Sequence, residues 1–278
     1  MRDPFARDKQ FRRLIRGDQA IDLVLANLEL ARDSYPDLDF DQVLARIELL
    51  ADRVRERCSP GGSARYVIGQ INWVLFVEEG IRGNLDDYYN PMNSFLNDVL
   101  DRRLGLPITL SILYERVATR AGLTLGFANL PMHFGLQMPG PDGPLFVDPF
   151  HEGRILDLPA CQRFLSELSG RDITLGSDDF GSCSAADTMA RMLRNLKAIY
   201  LQQKDFASAL PIVRRLAALR SDDPLELRDW GMVSLQVDRP GEALEPLQRY
   251  VEARPDSPDA QAIRSLLKAA RREVALRN

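Results

Sequence analysis

Histidine and cysteine are scarce in this sequence of 278 residues, with two of the first and three of the second. No two cysteines have CxxC spacing, which excludes a zinc ribbon. Cys58, Cys161 and Cys183 are odd in number and scattered, which argues against a disulfide scaffold and for a reducing compartment, the cytoplasm. Two histidines are too few for a histidine-rich metal centre. Long apolar runs are missing too: no stretch approaches the roughly 18 residues that cross a bilayer, so no membrane span is expected. The opening Met1-Arg-Asp-Pro-Phe-Ala-Arg-Asp-Lys lacks the apolar core of a secretory leader, so none is expected. Charge of one sign does not dominate, with 36 Lys and Arg against 40 Asp and Glu and a net charge of −4. Residues 191–278 carry 16 basic and 12 acidic side chains, and residues 1–190 carry 20 and 28. Neither part holds a basic run dense enough for a nucleic-acid footprint.

What is present is 45% hydrophobic and 27% charged, the composition of a folded protein. Its length suits two domains, placed at 1–190 and 191–278. The second rests on an internal repeat. At a constant offset of 34 residues, Leu201 falls on Leu235, Ala209-Leu210 on Ala243-Leu244, and Pro224 on Pro258. A helix, a turn, a second helix with a small-residue contact and a closing proline form the tetratricopeptide pattern. This predicts two repeats, 191–224 and 225–258. Over 259–276, Ala262, Ile263, Leu266, Leu267, Ala270 and Val274 form the stripe of a capping helix.

The first ninety residues read as helical. One helix opens near Asp18 and stops by Pro36; the next is capped by Asp39 or Asp41 and broken by Pro60-Gly61-Gly62; an apolar stretch runs from Tyr66 to Val77. A helix over 93–104 is expected to stop at Gly105, and Pro107 fits the first position of the next. On the first of these, the Asn93, Asn97, Asp98 and Arg102 face is expected to order a buried hydrogen-bond network, with ligand binding as the alternative. Short strands follow at 123–129, 133–138 and 144–148, giving an α+β fold with a small antiparallel sheet, followed by the α-helical repeat region.

If 139–142 is a four-residue hairpin loop, residues whose numbers sum to 281 face each other, and His133 stands opposite Asp148. A carboxylate beside an imidazole fixes its tautomer and supplies the base and orienter of a nucleophilic triad. One residue of slip would move the two to opposite faces. Two blander readings compete: a satisfied polar pair, and a metal site of His133, Asp148, His151 and Glu152, whose spacing matches no metal motif. The nucleophile is missing. A papain-like thiol stands at a helix N-terminus, where the dipole lowers its pKa. The helix opening at Pro107, Ile108 and Thr109 has no cysteine, and Thr109 and Ser111 read as helix-bonded hydroxyls. Cys161 follows Leu158-Pro159 at another helix start and reads as a buried structural thiol.

Three segments together resemble the bacterial SirB family: Tyr89-Asn-Pro-Met-Asn93-Ser-Phe-Leu-Asn-Asp-Val-Leu-Asp-Arg-Arg-Leu-Gly-Leu-Pro-Ile-Thr109, Pro131-Met-His133-Phe134, and Phe146-Val-Asp148-Pro-Phe-His-Glu-Gly153. The resemblance covers nearly the whole chain. It implies a transglutaminase-like, papain-like core over 1–190 followed by tetratricopeptide repeats, with His133 and Asp148 in the histidine and aspartate places. It puts the segment around Pro107 in the cysteine place, where members usually carry Gly-x-Pro. The expected function is therefore a non-catalytic module binding an unknown protein or peptide, without cofactor, nucleic acid or membrane. The alternative is a residual amide hydrolase or acyltransferase using His133, Asp148 and Thr109, Ser111 or an incoming thiol.

Overall fold

The computed structural model describes residues 4–176, 180 and 183–277, and divides into two compact units, 1–188 and 189–278. In the first, α1 (Lys9–Ile15), α2 (Leu23–Ala31), α3 (Phe40–Arg57) and α4 (Ala64–Asn72) precede a π-helical turn, Trp73–Glu78. Then come β1 (Arg82–Gly83), a 3-10 turn (Pro91–Ser94), α5 (Leu96–Arg102), β2 (Leu104–Gly105) and α6 (Pro107–Arg120). Next are β3 (Gly126–Leu130), β4 (His133–Gly140), β5 (Gly143–Asp148), a 3-10 turn (Pro149–His151), β6 (Arg154–Leu156) and α7 (Leu158–Ser169). The last helices are α8 (Ala185–Gln203), α9 (Phe206–Leu219), α10 (Pro224–Gln236), α11 (Pro240–Ala253) and α12 (Ala260–Arg277).

The helix starts follow capping chemistry. Asp22 accepts from the Leu25 amide, Asp39 from that of Gln42, and Asp157 from that of Ala160, each satisfying an amide with no partner in the first turn. Asp18 does not open a helix; it is held by Arg13 at 2.8 Å, and α2 begins at Leu23. The stop after α5 is Arg103, left-handed at φ 60, instead of Gly105. Gly105 is needed for another reason: a Cβ there would lie 2.8 Å from Leu110. Pro107 takes the first position of α6, as its spacing predicts. The expected polar group divides, with Asn93 in the 3-10 turn before α5 and the others on the helix. Asn93 Oδ1 accepts from Asn84 at 3.0 Å and from Arg102 at 3.2 Å, Asp98 instead accepts from Tyr35 at 2.8 Å, and Asn97 Oδ1 has no partner among the described residues.

The main sheet has the order β3-β4-β5-β6, antiparallel throughout, and α6 packs on β4. Its hairpin corrects the expected register. Leu136 faces Val147 and Gly140 faces Gly143, so facing numbers sum to 283, and the loop is Pro141-Asp142 alone. Pro139 and Gly140, turn-like by composition, continue the strand. Because the slip is two residues, a full side-chain period, every residue keeps its face.

In the second unit the turns between paired helices repeat in detail. Lys204, between α8 and α9, has φ 58, and Asp238, 34 residues on between α10 and α11, has φ 57. Ala209 and Ala243 are fully buried, and a Cβ on Gly231 would stand 2.3 Å from Leu247, so α10 and α11 meet at minimal distance. On α12, Ile263, Leu267 and Ala270 are buried, while Ala262 is exposed and stands off the expected stripe.

Candidate functional site

His133 opens β4, Asp148 closes β5, and Arg154 opens β6. These strands are neighbours, so all three residues come to one end of the sheet, with Arg154 directly across from Asp148. His133 and Asp148 are diagonal partners, close enough for a histidine to bridge. Their contact is His133 Nε2 to Asp148 Oδ1 at 2.9 Å, with His133 4% exposed and Asp148 fully buried. Gly135 makes room, since a Cβ there would stand 2.4 Å from the Phe146 ring and 2.7 Å from the Val147 carbonyl.

The segment after Asp148 wraps more donors around the carboxylate. A 3-10 turn leads into Glu152 (φ 58) and Gly153 (φ 70), and the Gly153 amide donates to the Asp148 carbonyl at 2.8 Å. This reversal puts His151 Nδ1 2.7 Å from Asp148 Oδ2, and Arg154 Nε and Nη2 reach the same oxygen at 3.1 and 2.9 Å. Burial alone would raise the Asp148 pKa; hydrogen bonds and charge from His133 and His151 outweigh it and hold the carboxyl well below the usual carboxylate range. An ionised Asp148 only accepts, so His133 presents Nε2–H and His151 presents Nδ1–H. The 3.3 Å approach of Arg154 Nη2 to His151 Nδ1 then sets donor beside donor and is no hydrogen bond. With Nε2 carrying the proton, Nδ1 of a neutral His133 is the acceptor nitrogen.

Aromatic rings close over the cluster. Phe164 of α7 lies 5.1 Å from the His133 ring, and the Arg154 guanidinium stacks 4.1 Å above Phe164. From below, Asn72 Nδ2 donates to the Gly153 carbonyl at 3.1 Å, and the buried Tyr114 hydroxyl donates to Asn72 Oδ1 at 2.7 Å. The Asn72–Gly153 and Tyr114–Asn72 contacts join residues 81 and 42 apart, and no local sequence signal announces them. The Arg154 contact had one: Asp148, His151 and Arg154 recur every third residue around a Glu152-Gly153 turn.

The other candidates lie as follows. Ser111 donates its hydroxyl to the Pro107 carbonyl at 2.7 Å, and the buried Thr109 hydroxyl has no partner among the described residues, so His133 does not hold it. Cys161 is fully buried on α7; burial, helped by the Asp148 charge, pushes its thiol up to about 12, the opposite of what a nucleophile requires. Burial also pushes the Cys58 thiol up, and Cys183 Sγ lies 3.4 Å from Thr188 Oγ1. Of the four weighed as metal ligands, His133, Asp148 and His151 have ligand atoms within 4.8 Å of one another, and Glu152 stays outside that group. Arg154 already places a cation on Asp148. Among the described residues, no helix is long and apolar enough to cross a membrane.

Comparison with known proteins supplies the lineage. Residues 41–194 match the transglutaminase-like superfamily, and residues 196–268 match the tetratricopeptide repeat. A UPF0162 protein of Xylella fastidiosa is 32% identical over 90% of both chains, and one of Vibrio cholerae is 27% identical over 70% of this chain and 73% of its own. Human F-box only protein 21 is 28% identical over 66% of this chain but 28% of its own length. No solved structure matches. A domain with His133 against Asp148 at one end of an antiparallel sheet, followed by helical repeats, thus finds its relatives: the chain belongs to the transglutaminase-like superfamily, within the UPF0162 proteins.

Proposed function

We propose that this protein is a non-catalytic member of its superfamily, a regulatory module that binds a protein or peptide. Residues 1–190 form its degenerate transglutaminase-like domain, and repeats 191–224 and 225–258 with the capping helix 259–276 form a docking surface. The observation that carries this reading is the start of α6. α6 opens on Pro107, Ile108 and Thr109 with no cysteine, at the position that the resemblance assigns to the triad's thiol, and the buried thiol of Cys161 is pushed away from ionisation instead of toward it. The Asp148 cluster then serves as a buried polar clamp that holds three strand ends together. Related sequence inside a much longer F-box only protein supports a transplantable recognition unit. The resemblance to SirB proteins and a bacterial cytoplasmic location belong to the same reading.

One observation favours the alternative: His133 and Asp148, the pair that a base and its orienter would form, are in contact at 2.9 Å. A residual hydrolase or acyltransferase would use His133 as base, Asp148 as orienter, and Thr109, Ser111 or an incoming thiol as nucleophile. Glutamine-donor and amide substrates, offered to the intact protein and to His133→Ala, separate the two. The binding reading expects no difference between them. Turnover or covalent labelling that disappears in folded His133→Ala refutes it.

A further inference from the structure

The second unit carries a groove of about 490 Å³ between α11 and α12 whose charge is of one sign. Its floor is apolar, from half-buried Val251 and buried Leu267. Its walls are Arg264, Lys268, Arg271 and Arg272, all exposed on α12, and no acidic side chain lines it. Arg264, Lys268 and Arg272 follow each other at four-residue intervals, so three like charges stack along one face of a helix, an arrangement that weakens the helix when nothing answers it.

Several other cations of this unit are answered. Lys197 reaches Glu226 at 2.6 Å and Asp229 at 2.7 Å, Arg228 reaches Asp259 at 3.1 Å, and Arg214 and Arg277 pair with Glu242 and Asp238. Among the described residues none of the four groove cations has an ion-pair partner. Arg264 donates to the Pro255 carbonyl at 3.1 Å, and Arg271 to Gln248 Oε1 at 2.8 Å. The nearby Glu252 carboxylate is taken by Gln248 Nε2 at 2.6 Å.

We infer that the α11–α12 groove is a docking site for an acidic peptide segment of a partner protein, one that alternates carboxylates with apolar side chains. The carboxylates answer the four cations, and the apolar residues cover Val251 and Leu267. A peptide fits better than a nucleic acid because the floor is aliphatic and no aromatic ring lines the groove for base stacking. The inference rests on reading the repeats as a docking surface and names the chemistry of what docks.

The test uses the full-length protein and fluorescence anisotropy. The probe is a labelled twelve-residue peptide alternating Glu and Leu; the controls are its Lys-Leu counterpart, a single-stranded DNA twelve-mer and phosphatidylglycerol vesicles. Expected is saturable binding of the acidic probe alone, weakening as salt rises. Lys268→Glu with Arg272→Glu should cut that affinity at least tenfold at an unchanged melting temperature. If the reversals lower the melting temperature, Lys268→Gln with Arg272→Gln carries the same comparison, with at least a threefold loss expected. No binding of the acidic probe, a change below twofold in a folded variant, or tighter binding of the DNA or vesicles would each overturn the inference. The broader reading fails on a different readout, turnover that depends on His133, so the two failures are distinguishable.

Discussion

Asp148→Asn tests the account of the buried cluster most directly. Asparagine keeps the size of the side chain but replaces one accepting oxygen with an NH₂ donor. One oxygen of Asp148 receives His133 Nε2, and the other receives His151 Nδ1 and both Arg154 nitrogens. If the new NH₂ faces His151 and Arg154, three donors meet a fourth. If it faces His133, that imidazole must move its proton to Nδ1 to accept, and Arg154 still loses its charge partner. Removing one member of a buried ion pair costs about 3–5 kcal/mol, and the second orientation, with Arg154 36% exposed, lies at the lower end. The side chain adopts the cheaper orientation, about 3 kcal/mol, and for a unit of this size 1 kcal/mol moves the melting temperature by roughly 2–4 °C, so a drop of about 6–12 °C is expected. The pH dependence carries the sign. Because the folded pKa is depressed below the ordinary 3.8, the carboxylate's contribution is complete above 3.8 and is lost as pH falls through the folded value. Urea unfolding of both proteins between pH 7 and pH 3 should therefore show a constant gap that begins to narrow only at the acid end. A gap under about 0.5 kcal/mol at pH 7, the range of neutral surface substitutions, would refute the claim that Asp148 holds the strand ends together.

Gly153→Ala should destabilise the first unit by about 1–3 kcal/mol through a strained left-handed backbone, and more where the new Cβ meets Asn72 Oδ1 at 2.0 Å; a thermal melt within 1 °C of the parent would contradict this. Cys161 should resist thiol reagents at neutral pH until the chain unfolds, as followed by mass spectrometry. Since its folded pKa lies above the unfolded 9.0, the stability it contributes is complete below pH 9 and is lost as pH rises toward 12, so Cys161→Ala should flatten the alkaline decline.

The helical parts were legible because their signals are local. Asp39, Asp157 and Pro107 each mark a helix start through chemistry within one turn, and the 34-residue offset is carried by repeated residues within each hairpin. Prediction failed where a residue's local habit gave way to tertiary demand. Pro139 and Gly140 are turn residues by composition, yet they extend β4 because Pro144 and Gly143 wait opposite. Gly105 looked like a helix stop, yet Arg103 takes the left-handed position and Gly105 is kept small by Leu110. Asn72 and Tyr114 were invisible because they reach the site from helices distant in sequence.

The pairing of His133 with Asp148 emerged from a register that was wrong, and the reason is physical. Alternation along a strand encodes which face a residue occupies but not which residue it opposes, so it constrains register only to multiples of two. A slip of two turns a directly opposed pair into a diagonal one, which aspartate and histidine can still close at 2.9 Å. The slip also explains Gly135. In the expected register it would face Phe146; in the observed one it lies diagonal to that ring, on the same face, and its missing side chain leaves the space the ring occupies 2.4 Å from where a Cβ would be. Glycine at 135 is thus tied to the seat of the Phe146 ring. A larger residue there would displace Phe146 and, with it, the ring that stands 5.9 Å from His133.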